Sequence, residues 1–211
     1  MTEKKFETYG IASGNFKSLN EALAHSKIQD KLVKSPIVFP QNPFNQHILE
    51  SNNILEIGCG TGRNLEWILN NTKATYIGLD PNISMLNYFW EQNCGYNYMN
   101  KRIHITSDIY NSILQSKKYD VILSTFVFQH IAYNPTENIM NIDDIPKIIL
   151  RFTNKETVWF LIEHEGEQKD GWFDRWINNN KFTLHKKIKS EEIYDFSGHY
   201  ILLLTNENVN E

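Results

Sequence analysis

ILEIGCGTGRN, residues 54–64, sets a short apolar run against a turn in which glycine stands at 58, 60 and 62. The run ILEI has the β-branched, apolar character of a buried strand. Glycine reaches backbone angles that other residues resist, and it lets a ligand approach the main chain with no side chain between them. The helical pattern NLEWILNN follows directly, so the stretch reads as strand, glycine turn and helix. In an open α/β sheet this first turn lies at the carboxyl ends of the strands, where ligands bind. A helix beginning near Gly62 would add unpaired N–H groups that favour an electron-rich ligand group.

Working outward, short apolar runs alternate with helical segments. ILEI (54–57), ATYIGL (74–79), RIHIT (102–106), YDVILST (119–125) and TVWFLI (157–162) have strand character, and ISMLNYFWEQN (83–93) has helical length. Such alternation predicts an α/β fold, a mostly parallel sheet with helices on both faces. KFTLHKKI (181–188) and YILLLTN (200–206) follow with no clear helix between them, which predicts an antiparallel pair closing one edge and seven strands in all. The asparagines at 178–180 read as a turn. Before Ser51 the pattern differs: a helix over residues 19–32, the proline-punctuated SPIVFPQNPF, and a short helix near residues 44–50. Residues 1–50 are therefore expected to form a helical lid or cap, and residues 51–211 the sheet domain.

The chain has 211 residues, 41% of them hydrophobic and 22% charged, the composition of a globular domain with a core of its own. The net charge of −4, with no basic block, argues against a nucleic-acid partner. No apolar stretch has membrane-spanning length, and no apolar core of a signal peptide follows Met1, so the cytoplasm is the expected location. One of only two cysteines, Cys59, lies inside the glycine turn, where a disulfide would distort it, in keeping with a reducing compartment.

The second strand ends in YIGLD, which puts Asp80 at its carboxyl end, 22 positions beyond Gly58. An acid at that separation accepts hydrogen bonds from ribose hydroxyls in nucleoside-binding sheets. A dinucleotide fingerprint would require glycine at 63, where this chain has Arg63. Glu56 would repel a pyrophosphate and suit a cationic amino group. LEIGCGTG (55–62), IGLDPNISML (77–86), ITSDI (105–109) and YDVILSTFVFQHI (119–131) stand in the order found in the class I S-adenosylmethionine-dependent methyltransferases, which the chain resembles over about residues 50–206. The resemblance implies a Rossmann-like sheet with an antiparallel last strand and S-adenosylmethionine as cofactor. It further implies contact with the methionine part by Glu56, Gly58, Cys59, Gly60 and Gly62, and with the ribose by Asp80. Pro81 or Asn82 and Ile109 would flank the adenine, Asp108 would meet its amino group, and Ser124, Thr125 and Phe126 would lie beside the sulfonium.

Methyl transfer to a hydroxyl benefits from a base, whereas an amine or carboxylate needs less help. His130, a few residues past the fourth strand, is the first candidate, with ordering of the loop as its alternative. His164, at the end of the fifth strand, is the second. Tyr133, Trp172, Arg175, Tyr194 and His199 are the candidate substrate residues. For Trp172 the competing role is core packing, since it shares one helical face with Phe173 and Trp176, and for Arg175 it is a surface ion pair. No histidines or acids show the tight spacing of a zinc site, so no metal is expected. The expectation is O-methylation of a small polar metabolite, a sugar or phosphorylated compound. The alternatives are a cofactor-binding partner protein without activity, and a methyltransferase acting on protein or RNA.

Overall fold

The computed structural model describes residues 45–93, 102–125, 127–128, 142–164, 172–189 and 199–206. Seven strands form one sheet: β1 (Asn53–Ile57), β2 (Thr75–Leu79), β3 (Ile103–Thr106), β4 (Val121–Thr125), β5 (Val158–His164), β6 (Phe182–Lys189) and β7 (His199–Asn206), in the order β3-β2-β1-β4-β5-β7-β6. The five strands from β3 to β5 are parallel, and β7 runs antiparallel to both β5 and β6. The last two strands do form an antiparallel pair, but β7 is inserted between β5 and β6, which leaves β6 at the edge. That order matches burial: Ile201, Leu202, Leu203 and Leu204 are buried on both faces, whereas His185, Lys186 and Lys189 of β6 include the charges that discourage pairing at a free edge.

Alternation along the strands divides the core in two. Leu55, Ile57, Ile77, Ile122, Trp159 and Leu161 face one side, and Ile54, Tyr76, Leu123, Phe160 and Ile162 face the other. Helices α1 (Asn45–Leu49), α2 (Leu65–Asn71), α3 (Ile83–Asn93), α4 (Ser112–Gln115), α5 (Asp144–Ile149) and α6 (Trp172–Asn179) accompany the sheet. On α6, Trp172, Phe173, Trp176 and Ile177 are buried while Asp174 and Arg175 face solvent. Trp176 stacks on Phe182 at 4.9 Å, and Trp159 meets the same ring edge-on at 4.9 Å. The asparagine run ends α6 as a turn closed by Lys181 in the left-handed region, φ 55°.

At the amino ends of the strands, one Asp120 carboxylate oxygen accepts the N–H groups of Asn52 and Asn53, at 2.6 and 3.0 Å. This ties β4 to the junction between α1 and β1. α1 buries Ile48 in the core at that end. The helix expected over residues 19–32 lies outside the described residues.

Candidate active site at the strand ends

All three glycines of the turn after β1 are left-handed, with φ of 74° at Gly58, 52° at Gly60 and 87° at Gly62. The turn is laced to β2 through Gly58 and Cys59, whose N–H groups donate to the Leu79 carbonyl at 2.6 and 3.2 Å. Steric room differs sharply along it. A Cβ at Gly58 would lie 2.1 Å from Cγ2 of Val127, in the segment after β4. Among the described residues a Cβ at Gly60 would meet nothing within 4 Å. Gly58 therefore serves close packing inside the protein, and Gly60 opens on a space that a ligand can fill. The helix begins at Leu65 rather than near Gly62, because Gly62 stands at φ 87°, outside the right-handed helical region, and its N–H is committed to the Cys59 carbonyl at 2.9 Å instead of being offered to a ligand. The Cys59 thiol turns inward: a Cβ on Gly78 would come within 2.7 Å of its sulfur. Burial, with the charges of Asp80 and Glu56, pushes that thiol well up, so it is an inert packing group that offers the site only its backbone.

Asp80 caps the carboxyl end of β2. One of its oxygens accepts from the Gly60 N–H at 2.9 Å and the other from the Asn82 N–H at 2.8 Å. Each oxygen keeps acceptor capacity for a further donor, such as a hydroxyl. Desolvation raises its pKa to about 6, against the pull of the two backbone N–H groups. Asn82 in turn caps α3, its side-chain oxygen accepting from the Met85 N–H at 3.2 Å. Pro81 is half-buried beside them.

Glu56 is buried beneath the turn, 1% exposed. Its carboxyl accepts from the Tyr76 hydroxyl and from Asn64 Nδ2, which also reaches Thr125 Oγ1 at 3.4 Å. Burial raises its pKa to about 7, with the Tyr76 and Asn64 hydrogen bonds and the Arg63 charge pulling down and Asp80 pushing up. Arg63 thus adds favourable charge to the floor of the site. A pH effect follows with a definite sign. A carboxyl whose folded pKa is raised contributes stability that is full below its ordinary value, near 4.5 for Glu56, and is lost as pH climbs through about 7. The melting temperature of the cofactor-free chain should fall between pH 5 and pH 8. In Glu56→Gln the remaining fall should end near pH 6, where Asp80 titrates. A flat profile in the wild type would contradict the assignment.

After β3, Asp108 is exposed and accepts the Tyr110 N–H at 2.8 Å, closing a tight turn, while Ile109 packs on the core. On β4, Thr125 faces the glycine turn through Asn64, whereas the Ser124 hydroxyl is fully buried and donates to Glu163 at 3.2 Å. Glu163 was legible in sequence only as an acid beside His164; the period-two pattern Trp159, Leu161, Glu163 is the signal that places it inward. His164 and His199 occupy opposed positions on β5 and β7. Trp172 lies in the core, 5% exposed, which supports packing over a pocket wall, and Arg175 sits on the solvent face of α6, next to the Asp174 that pairs with Lys187 at 3.8 Å. Phe126, His130, Tyr133 and Tyr194 lie outside the described residues.

Residues 55–145, from β1 into α5, match the family described as "Methyltransferase domain". No curated protein matches the chain by sequence. Solved structures do match in fold. An S-adenosylmethionine-dependent methyltransferase from Clostridium acetobutylicum aligns over 90% of this chain and 99% of its own, with a TM-score of 0.64 at 13% identity. One from Aquifex aeolicus aligns over 85% and 96%, with a TM-score of 0.61 at 16% identity. Magnesium protoporphyrin IX methyltransferase from Synechocystis, solved with bound S-adenosylmethionine, aligns over 75% and 72%, with a TM-score of 0.55 at 14% identity. The family match contains most of β1, the glycine turn, Asp80 and all of β2 to β4, and the fold likeness extends over up to 90% of the chain. Residues 55–145 thus match a methyltransferase-domain family, and the fold of the chain is the one seen in solved S-adenosylmethionine-dependent methyltransferases.

Proposed function

We propose that the chain is a class I S-adenosylmethionine-dependent methyltransferase that O-methylates a small polar metabolite, a sugar or a phosphorylated compound, by in-line transfer. The observation that carries this reading is the layout of the strand ends: the glycine turn with its open space at Gly60, and Asp80 with spare acceptor capacity beside it. In this reading Asp80 takes the ribose hydroxyls, the backbone of residues 58–62 lines the methionine part, and Asp108 and Ile109 flank the adenine with Pro81 and Asn82. When bound, the cofactor supplies an electrophilic methyl group on sulfur, and the protein supplies alignment and electrostatics. Ile57 and Ser124 are opposed in the β1–β4 register, so the segment after β4 begins beside the glycine turn. An acceptor held by that segment would face the sulfonium, and His130, five residues past β4, would take the hydroxyl proton.

The net charge of −4 and a site floored by Glu56 and Asp80 favour a small substrate over RNA. The test is to supply S-adenosylmethionine carrying a labelled methyl group with pools of sugars and phosphorylated metabolites. Labelled product should form, and His130→Ala should lose about a hundredfold or more in rate while still binding the cofactor. Transfer confined to protein or RNA would overturn the substrate class, and binding with no transfer to any acceptor would favour a non-catalytic partner.

A further inference from the structure

Glu163 is completely buried near the carboxyl end of β5, and one of its oxygens gathers three donors from a single short segment. These are the Ser124 hydroxyl at 3.2 Å, the Val127 N–H at 3.2 Å and the Phe128 N–H at 3.1 Å. A carboxylate taken out of water is costly unless donors replace the water, and here the donors come from the stretch that leaves β4 beside the glycine turn. The two residues whose N–H groups it holds point to different neighbours. Val127 fills the space over Gly58, where a Cβ would stand 2.1 Å from its Cγ2. Phe128 is fully buried and packs on Trp176 at 5.3 Å. Sliding the segment in either direction would therefore break a carboxylate hydrogen bond and unseat a side chain.

We propose that Glu163 is a positioning residue for methyl transfer: through the N–H groups of Val127 and Phe128 it seats the segment after β4 against the glycine turn. It acts on the cofactor through Val127 and Gly58 rather than by touching it. Its effect is to hold the acceptor side of the site in register with the turn, where in-line transfer is sensitive to displacements of about an ångström. The proposal rests on the reading of the chain as an S-adenosylmethionine-dependent methyltransferase.

The experiment measures S-adenosylmethionine affinity by calorimetry, together with amide exchange in the peptide containing residues 124–128, for the full-length wild type, Glu163→Gln, Glu163→Ala and Val127→Ala. Gln keeps an acceptor oxygen and should bind within about threefold of wild type, with near-native exchange. Ala should bind at least tenfold more weakly and exchange faster at Val127 and Phe128, while the β1 and β4 amides stay protected. Val127→Ala, which keeps the carboxylate bonds, should weaken binding about fivefold without speeding exchange, and it decides the question should Glu163→Ala not fold. Ala binding within twofold of wild type, equal losses in Gln and Ala, or unchanged affinity in Val127→Ala would each overturn the proposal. A wild type that does not bind S-adenosylmethionine would overturn the methyltransferase reading and this proposal with it, whereas a wild type that binds while the variants fail these expectations would overturn this proposal alone.

Discussion

Asp80→Ala is expected to weaken S-adenosylmethionine binding by a hundredfold or more while the fold survives. The reasoning starts from the charge. Among the described residues Asp80 has no cation as a hydrogen-bond partner; two backbone N–H groups, at 2.9 and 2.8 Å, hold it. Desolvation has already raised its pKa to about 6, so the carboxylate gains from each added donor. Two ribose hydroxyls donating to an ionised carboxyl contribute about 1.5–3 kcal/mol each. Losing both corresponds to about two to four factors of ten in affinity, at about 1.4 kcal/mol per factor. The loss in fold stability should be smaller, because the same burial that raises the pKa makes the free carboxylate a poor contributor near neutrality. Affinity of the wild type should also fall as pH drops below about 6, opposite in sign to the stability trend set by Glu56. Calorimetry at two pH values reads both effects, and an Asp80→Ala variant that binds like wild type would remove Asp80 from the site.

Gly58→Ala is expected to be the most damaging single methyl group in the turn. The residue stands at φ 74°, where an L side chain costs about 1–2 kcal/mol. The added Cβ would also lie 2.1 and 2.9 Å from the two Val127 methyl carbons. Val127 cannot simply retreat, because its N–H is held by Glu163. Overpacking adds about 1–3 kcal/mol, for a total of about 2–5 kcal/mol, a large share of the 5–15 kcal/mol typical of a domain. The melting temperature should fall by about 5–20 °C. Adding Val127→Ala should recover part of that loss but not the backbone cost. Gly60→Ala is the informative contrast: it pays the backbone cost alone, yet its methyl projects into open space, so it should lose more in cofactor affinity than in stability. Equal effects at 58 and 60 would mean that the two glycines do not divide packing from access.

Much of this arrangement is legible in the amino-acid sequence because a few residues are constrained by simple physics. Glycines at 58, 60 and 62 signal left-handed backbone, and all three adopt it. Five apolar runs signal parallel strands, since strands buried on both faces lose the polar alternation that would otherwise blur them. The insertion of β7 between β5 and β6 is not legible, because an antiparallel pair can be placed in either order and only packing against β5 decides. Glu163 escapes notice for a related reason: the charged trio at 163–165 resembles a loop, yet β5 continues to His164 and carries Glu163 inside. Cys59 and Ser124 are correctly placed at the turn and at β4, but their side chains face Gly78 and Glu163, a matter of tertiary contact that no local pattern encodes.

The most direct test of the central claim is a crystal structure with S-adenosylhomocysteine bound. The ligand should lie across the carboxyl ends of β1 and β2, with its ribose hydroxyls within about 3 Å of the Asp80 carboxylate and its amino acid part over Gly60. A ligand bound elsewhere, or one whose ribose leaves Asp80 bonded only to Gly60 and Asn82, would contradict it.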